Sequence, residues 1–441
     1  MTRVRPGAWL GPRGIAVALA LSLAAGLLAR TYAWTAVVAG LLTAFAVACA
    51  FDWRASSGAL RWRRIAPERY ALARADAFRY EIENRATVPL RVGIVEAPVA
   101  KLAIALAGAE LTVPPRSRRD AAVGFVPRER GRTALGDSYA WYESSFGLIR
   151  HRVRLAGAVP IRVLPDLGPL ESSDDLALRA RLIDAGLRRI RRRGAGTEFE
   201  SLREYSTGDA FRDVDWKATA RRGRVMIAQH EVERSQQVIV AIDAGRLMAA
   251  RLGDRRKLDY AVSAALGVAA LARRAADRVG VHAFASRTLV AVAPASGNVQ
   301  AAAIVEALAD IEPQHEESDY ERAALALRKT YRKRSLIVVF TDLFDPVASA
   351  TVLAALALLV RTHLVLVALM NDAAIAGALA AEPRDAGTAY RAAVATALAA
   401  ERARAVSKLR ATGMLVVDVP ARELRLALLD AYLDIKTRGL L

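Results

Sequence analysis

The side chains best suited to chemistry lie between positions 196 and 221, where acidic and basic residues alternate closely. Asp209 with Asp215, or Asp213 with Asp215, is a candidate pair of carboxylates for general acid and general base catalysis. Several arginines stand between them, which indicates a different use for the same carboxylates. Because a buried charge is tolerated only when it is paired, we favour a structural network of ion pairs over catalysis.

We expect this network to connect the elements on either side of it, with Trp216 packed in its middle as an aromatic anchor. The residues that we assign to the network are Glu198, Arg203, Tyr205, Asp209, Arg212, Asp215, Trp216 and Arg221. Removing Asp215 or Trp216 is then expected to destabilise the fold instead of stopping a reaction. A buried charge left without its partner costs about 3–5 kcal/mol.

Another acidic residue follows a smooth apolar run at positions 238–242. The run predicts a buried strand, and Asp243 stands at its carboxyl end. Ligands of open α/β sheets bind at the carboxyl ends of the strands. Asp243 is therefore a candidate binding residue.

The elements that position these residues differ along the chain. From residue 237 onward, buried runs alternate with helical segments, which predicts an α/β fold with a doubly wound, mostly parallel sheet. Residues 65–163 alternate apolar and polar positions between turn signals, which is typical of a small antiparallel β-sandwich. We expect four parts: a transmembrane hairpin at 1–53, a β-sandwich domain at 54–165, a linker helix with the charged segment at 166–236, and the α/β domain at 237–441.

Two apolar runs near the amino terminus, Gly14–Ala29 and Ala33–Phe51, predict the hairpin, since a membrane span needs about 20 residues. A signal peptide is the alternative for the first run, but the second run follows immediately and argues against secretion. Arginines flank the pair on both sides, and positive flanks stay cytoplasmic. We therefore expect two transmembrane helices in the inner membrane, with both termini and the soluble body in the cytoplasm.

The formal net charge of +19 comes almost entirely from arginine. It suits an anionic partner, either nucleic acid or the inner membrane surface, but an Ala- and Arg-rich chain also uses arginine as its ordinary surface cation, which we favour. The sequence has no zinc finger, aromatic RNA-binding motif or convincing helix-turn-helix, so we expect no nucleic-acid partner. The single cysteine excludes an internal disulfide, and the histidines lack metal-ligand spacing.

One basic helix end has a second interpretation, as a contact with membrane lipid. Its cations are Arg188, Arg189, Arg191, Arg192 and Arg193. Phospholipid headgroups would attract them. A solvated helix end is equally consistent with them, because cations are favourable near the carboxyl terminus of a helix. Both interpretations stay open.

The charged segment resembles the signature of the bacterial family called domain of unknown function 58. The family pattern is G-x-E-F-x-x-L-R-x-Y-x-x-G-D-x-x-R-x-[IV]-D-W-x-x-[ST]-A-R. It is carried here by Gly196, Glu198, Phe199, Leu202, Arg203, Tyr205, Gly208, Asp209, Arg212, Val214, Asp215, Trp216, Thr219, Ala220 and Arg221. A second segment, Arg130–Leu155, is similar to the family's R-G-x-[YT]-x-L-G…P-F-G-L pattern, with Ser145 where proline is usual.

The resemblance implies that the α/β region is similar to a von Willebrand factor A domain. Such domains hold Mg²⁺ through a D-x-S-x-S motif, a distant threonine and an aspartate after a later strand. The two aspartates correspond to Asp243 and Asp342. The serine positions hold Gly245 and Leu247, and only Ser318 offers a hydroxyl near the threonine position. Because Mg²⁺ needs oxygen ligands, we expect weak or no Mg²⁺ binding and no other cofactor.

The sequence has no G-x-S-x-G elbow, Walker-type loop or H-E-x-x-H motif, so we do not expect an enzyme. The expected role is that of a membrane-anchored scaffold or adaptor in a protein assembly. The resemblance implies partnership with MoxR-type AAA+ ATPases, and with other membrane proteins as neighbours. The alternative is a cell-envelope or lipid-surface function through the basic helix at 179–193.

Overall fold

The structure is a computed structural model with two compact units, Met1–Leu164 and Pro165–Leu441. Each unit has its own apolar core. The residues that the structure describes are 7–28, 32–104, 109–165, 198–206, 211, 214–231, 236–253, 255–343 and 346–441.

Two apolar helices stand near the amino terminus of the first unit. Helix α1 spans Pro12–Leu28 and helix α2 spans Tyr32–Ser56. Within α2, Thr35–Ser56 has a mean hydropathy of 1.9 and is largely unburied, so it is long and apolar enough to cross a membrane. The apolar stretch of α1, Pro12–Gly26, is shorter. The described residues therefore contain one candidate membrane span, which lies near the amino terminus, and the second span stays a prediction.

The rest of the first unit is built from strands around one shared core. Its strands are β1 Gly7–Leu10, β2 Leu60–Ile65, β3 Arg69–Ala71, β4 Asp76–Asn84, β5 Leu90–Glu96, β6 Leu102–Ile104, β7 Ala109–Val113, β8 Arg118–Pro127, β9 Gly131–Leu135, β10 Ser138–Glu143, β11 Ile149–Ala156 and β12 Val159–Leu164. They form sheets of order β1-β11-β10-β5-β7, β2-β4-β8-β6 and β3-β12-β9. All pairs are antiparallel except β3 with β12, as expected for this region.

Residues 7–10 correct one predicted boundary, because they form the edge strand β1 instead of part of a membrane hairpin. The strand pairs with β11, with Leu10 opposite Ile149. Gly11 and Gly14 let the chain pass close to the turn before β11, where a β-carbon on Gly14 would overlap the carbonyl oxygen of Leu148. Residues 7–10 thus belong to the sheet, through a long-range pairing that no local pattern signals.

The carboxyl end of α2 is fastened to the β10–β11 turn by buried polar groups. The Asp52 carboxylate is fully buried and accepts hydrogen bonds from the Ser144 hydroxyl and from the amides of Phe146 and Leu148, both at 3.1 Å. One turn later, the Ser56 carbonyl accepts from the Tyr142 hydroxyl at 2.9 Å. These bonds fix α2 to the β-rich unit through its last turn.

A buried histidine completes this junction. The His151 Nε2 atom lies 2.8 Å from the Ser56 hydroxyl oxygen, and the His151 ring stacks on Tyr142 with centroids 4.6 Å apart. Burial lowers the pKa of His151, so its neutral form is favoured at pH 7. A neutral ring avoids placing an additional charge in this buried junction.

We expect Asp52→Ala to destabilise the first unit by about 2–3 kcal/mol, because it strands the buried Ser144 hydroxyl and two amides without an acceptor. The measurement is the melting temperature of the detergent-solubilised full-length chain. Thr43→Ala is the matched control on the same helix, since that exposed hydroxyl bonds only to the carbonyl of Ala39. Equal melting temperatures for the two variants would contradict the junction.

The second unit has a six-stranded sheet of order β19-β18-β15-β20-β21-β22, parallel except between β18 and β19. Its strands are β13 Glu198–Glu204, β14 Met226–Glu231, β15 Gln237–Asp243, β16 Arg251–Leu252, β17 Arg255–Arg256, β18 Arg278–Phe284, β19 Thr288–Ala295, β20 Leu336–Phe340, β21 Leu364–Asn371 and β22 Leu415–Pro420. Its α-helices are α3 Trp216–Arg222, α4 Lys257–Arg274, α5 Asn298–Ala309, α6 Tyr320–Thr330, α7 Pro346–Val360, α8 Ala373–Ala380, α9 Ala386–Ala411 and α10 Leu424–Arg438. A short 3₁₀ helix spans Arg246–Ala249.

The central strand β15 explains why its sequence is an unbroken apolar run. Val238, Val240 and Ile242 enter a core with α4 and α10. The alternate residues, Ile239 and Ala241, enter a second core with α6 and α7. Both faces of the sheet are therefore covered by helices, which confirms the predicted mostly parallel α/β sheet.

Candidate functional site

The carboxyl ends of β15 and β20 bring two buried carboxylates to the same edge of the sheet. Asp243 is the last residue of β15, and Asp342 follows two residues after the end of β20. Their exposed fractions are 1% and 2%. The sequence singled out both residues, and the structure surrounds each with a different set of partners. We call these residues and their partners the strand-end cluster.

Asp243 is surrounded by neutral hydrogen-bond donors. Its carboxylate accepts from the hydroxyls of Ser318, Tyr320 and Thr341, the last two at 2.5 and 3.1 Å. The amide of Gly245 donates to it as well, at 2.8 Å. Burial raises the pKa of Asp243, while these hydrogen bonds act in the opposite direction.

The hydroxyls also form a closed triangle with one carboxylate oxygen. Tyr320 Oη and Thr341 Oγ1 lie 2.8 Å apart, and both contact Asp243 Oδ2. Three contacts join these three oxygens, but the two hydroxyl groups supply only two hydrogens, because each hydroxyl donates once. A proton on Asp243 would supply the third hydrogen, which agrees with the raised pKa of this carboxyl.

The position of Ser318 explains why glycine stands at 245. A β-carbon on Gly245 would overlap the hydroxyl oxygen of Ser318. A serine at 245 is therefore incompatible with the present position of Ser318. The hydroxyl of Ser318 occupies the space that a side chain at 245 would fill, and from there it donates to Asp243.

Asp342 is paired with two cations. The Lys257 ammonium contacts one carboxylate oxygen, and the Arg402 guanidinium lies 3.0 Å from the other. The same guanidinium reaches Asp418 at 2.9 Å. Two carboxylates and two cations balance their charges here, which is what buried ionic groups require.

This arrangement does not fit the Mg²⁺ ion that the resemblance implies. An ammonium group already lies against Asp342, and the oxygens of Asp243 accept hydrogen bonds from protein donors. Within the part of the chain that the structure describes, there is no group of three or more His, Cys, Asp or Glu residues that could hold a metal ion. Weak or absent metal binding stays a prediction.

The structure describes part of the predicted charged network. Glu198 and Arg203 lie on β13, which pairs with β14, and the Arg203 guanidinium donates to the carbonyl of Glu204 at 3.1 Å. Arg221 lies in the last turn of α3. Asp209, Arg212 and Asp213 lie outside the described residues, so any ion pairs with them stay a prediction.

Asp215 and Trp216 require a correction. The Asp215 carboxylate caps α3 by accepting from the amides of Lys217 and Ala218, at 3.0 and 2.9 Å. Trp216 is 61% exposed, so it is not a packed anchor. A helix cap contributes about 1 kcal/mol, so Asp215→Ala should cost less than we expected from a buried ion pair. Trp216→Ala should change the stability little.

Exposed aromatic and basic side chains form a surface on this segment, which we call the signature face. Phe211 is 68% exposed, and its ring lies 5.8 Å from that of Trp216. Helix α3 is held in place by its cap and by the amide of Met226, which donates to the Thr219 hydroxyl at 3.0 Å. The members of the face are Tyr205, Phe211, Trp216, Lys217, Arg221, Arg222 and Val225, all exposed.

Similarity to known proteins is consistent with this segment being a family signature. The family model described as "Protein of unknown function DUF58" matches residues 201–414. These residues belong to that family. The DUF58 region contains most of the signature segment, and it also contains Asp243, Lys257, Asp342 and Arg402 of the strand-end cluster.

Proteins similar to this chain include uncharacterized proteins of Mycobacterium bovis and Mycobacterium tuberculosis. They are 25% identical over 156 residues, which is 35% of this chain and 49% of each relative. The chain thus spans about half the length of the curated relatives it matches.

Two solved structures show only partial likeness. A Salmonella alpha-2-macroglobulin reacted with methylamine has a TM-score of 0.19 at 15% identity, covering 24% of this chain and 7% of that protein. The ASH/PapD-like domain of human CEP192 has a TM-score of 0.18 at 12% identity, covering 24% of this chain and 85% of that domain. Scores this low carry no argument.

Sequence reasoning missed Tyr320, Lys257 and Arg402 as members of the strand-end cluster. Lys257 lies 85 positions from Asp342 and Arg402 lies 60 positions from it, so no local spacing relates them. Tyr320 stands two residues after Ser318, and that proximity was the one available signal. The basic residues 188–193 lie outside the described residues, so their lipid contact stays a prediction.

We expect Lys257→Met to destabilise the DUF58 region by about 3–5 kcal/mol, because it leaves the buried Asp342 with too little positive charge. The measurement is the melting temperature of the full-length chain, with Lys408→Met as the control because Lys408 is exposed.

We expect that titration of Mg²⁺ or Mn²⁺ into the full-length chain, followed by calorimetry, shows no micromolar binding. Micromolar binding that is lost in Asp243→Ala would contradict this expectation, because it would show that the strand ends hold a metal ion.

Proposed function

We propose that this protein is a membrane-anchored, non-enzymatic adaptor that brings other proteins into an assembly. The signature face is the observation that carries the proposal. Trp216 and Phe211 lie in contact with each other and both are more than half exposed. Contiguous exposed aromatic surface is typical of binding sites, and tryptophan, tyrosine and arginine are the residues that contribute most to protein interfaces.

The charge of the signature face supports a partner with an acidic surface. Lys217, Arg221 and Arg222 lie on the same short helix as Trp216, and all three are exposed. Acidic groups on a partner would pair with them at the rim of the contact, while the aromatic rings enter an apolar pocket. Rim charges of this kind raise the association rate and select the partner.

The strand-end cluster supports a role without a chemical step. Its carboxylates, hydroxyls and cations are bonded to one another, and Asp243, Thr341 and Asp342 are buried. A catalytic group needs access to a substrate atom within hydrogen-bond reach. The contacts of these residues are better suited to holding the ends of the strands together.

At a finer level, we infer that the α/β unit is similar to a von Willebrand factor A domain. Support comes from Asp243 and Asp342 at neighbouring strand ends and from the hydroxyl of Ser318 beside Asp243. In such a domain, Lys257 would stand where the family resemblance implies a metal ion. A partner would then bind without a bridging cation.

The partner that the family resemblance implies is a MoxR-type AAA+ ATPase, together with further membrane proteins. An ATPase that remodels complexes needs a contact on its client or adaptor that can form and break repeatedly. The signature face suits this use, because its small aromatic centre lies among solvated cations. Nucleic acid is not among the proposed partners.

We expect Trp216→Ala to weaken the binding of the MoxR-type ATPase from the same organism by about 10–30-fold, the usual cost of removing a central tryptophan from an interface. The measurement is surface-based binding kinetics with the full-length chain in lipid nanodiscs. Tyr390→Ala is the control, since Tyr390 is 72% exposed on α9 and lies outside the signature face.

Both variants should melt within a few degrees of the native chain, because each removes an exposed side chain. Equal affinity of the Trp216 and Tyr390 variants would rule out the signature face as the contact. A native chain that does not bind the ATPase would rule out that partner.

For the topology, we propose that α1 and α2 both span the inner membrane and that the soluble body is cytoplasmic. Arg54, Arg61, Arg63 and Arg64 follow the second apolar run, and the positive-inside rule places such flanks in the cytoplasm. A phosphatase reporter that is active only outside the cytoplasm should stay inactive when fused at Leu441. Strong activity at that position would reverse the topology.

A further inference from the structure

A cavity of about 210 Å³ lies at the opposite edge of the six-stranded sheet from the strand-end cluster. It is bounded by α4, α5, the start of β18 and the turn between β19 and α5. Apolar side chains form its inner wall: Leu266, Ala269, Val279, Ala301, Ile304 and Val305. Among these residues, Leu266, Val279 and Ile304 also belong to the core, so the wall is part of the folded interior.

The mouth of the cavity is basic. Arg273 and Arg274, at the end of α4, both line it and are exposed. The Arg273 guanidinium donates to the side-chain oxygen of Asn298 at 3.0 Å, which holds it over the first turn of α5. An anion at the mouth would therefore meet a positioned guanidinium group.

The wall of the cavity is formed before any ligand arrives. The side-chain amide of Gln300 donates to the carbonyls of Val279 and Ala293, both at 2.7 Å. These bonds tie the start of α5 to β18 and β19. Small-molecule sites are usually pre-formed in this way, with apolar walls and a few fixed polar groups.

Among the described residues, one acid lines the cavity, and its charge is neutralised from inside the protein. Asp277 is fully buried, and its carboxylate pairs with the Lys436 ammonium at 2.6 Å and accepts from the Tyr432 hydroxyl. The amide of Gln236 donates to it at 2.9 Å. Because this charge is already balanced, Asp277 does not offset the positive charge of Arg273 at the mouth.

We propose that this cavity binds a small aliphatic carboxylate, with its chain against the apolar wall and its carboxylate beside Arg273. A cavity of about 150 Å³ holds a benzene molecule, so this one has room for a chain of about six to eight carbons. Nucleotides and headgroup-sized anions are too large and too polar for the inner wall. Arginine is the side chain best matched to a carboxylate, since its planar fork forms two parallel hydrogen bonds.

Hexanoate is the probe, and the full-length chain in lipid nanodiscs is the target, with empty nanodiscs measured alongside to subtract partition into lipid. Calorimetry should show saturable binding with a Kd on the order of 0.1–1 mM. Hexylamine, which carries the opposite charge on the same chain, should not bind. Neutral hexanol should bind at least about tenfold more weakly than hexanoate.

Two pairs of variants locate the site. Arg273→Gln should weaken hexanoate binding about tenfold, whereas Arg328→Gln, which removes an exposed arginine from α6, should leave it unchanged. Ala301→Leu should fill the cavity and abolish binding, whereas Ala302→Leu adds the same side chain to an exposed position of the same helix and should not. Equal melting temperatures of the two leucine variants confirm that the fold is intact.

Three results would overturn the proposal. They are no saturable hexanoate binding up to about 10 mM, equal binding of hexylamine, and unchanged hexanoate binding in both Arg273→Gln and Ala301→Leu. These results are independent of the signature face, so they leave the adaptor proposal as it stands.

Discussion

The pairing of Lys257 and Arg402 with Asp342 is the interaction on which the organisation of the α/β unit depends. Lys257 is the first residue of α4, and Arg402 lies within α9. The Asp342 carboxylate joins the end of β20 to α4 through Lys257 and to α9 through Arg402. The contact of Arg402 with Asp418 joins β22 to the same group of charges. A buried carboxylate at this position cannot go unpaired, so these elements must keep their relative positions.

The two buried carboxylates of the strand-end cluster are stabilised by different kinds of partner. Asp342 is balanced by full positive charges, whereas Asp243 receives only hydroxyl and amide donors. The first arrangement offsets the burial of a carboxylate with opposite charge, whereas the second offsets it with hydrogen bonds alone, and burial raises the pKa of Asp243. An ordinary ligand site at a sheet edge offers unsatisfied polar atoms, and here the protein supplies the partners itself.

The sequence predicted those parts that depend on local pattern. The apolar run of β15 and the acid at its end predicted a covered strand and a strand-end site, because alternate side chains must enter the cores on both faces. It could not predict Lys257 or Arg402, whose contacts with Asp342 depend on tertiary packing. The strand β1 was missed for the same reason, since its partner β11 lies more than a hundred residues later.

Trp216 shows a different limit of sequence reasoning. A tryptophan among alternating charges has the same local pattern whether it is buried within an ion-pair network or exposed beside it. The structure distinguishes the two cases, because Asp215 is occupied as a helix cap and Trp216 begins the helix with its ring in solvent. Burial depends on what packs over a segment, and that information lies elsewhere in the chain.

The junction at the end of α2 has a mechanical consequence. Asp52 and Ser56 lie one turn apart on the same face of the helix, and both are bonded to the β10–β11 region. A step of one residue turns an α-helix by about 100°, so rotation of α2 about its own axis would break all of these bonds together. The helix and the sheet that holds its last turn are therefore coupled in rotation, so a torque applied to α2 is passed directly to the β10–β11 region.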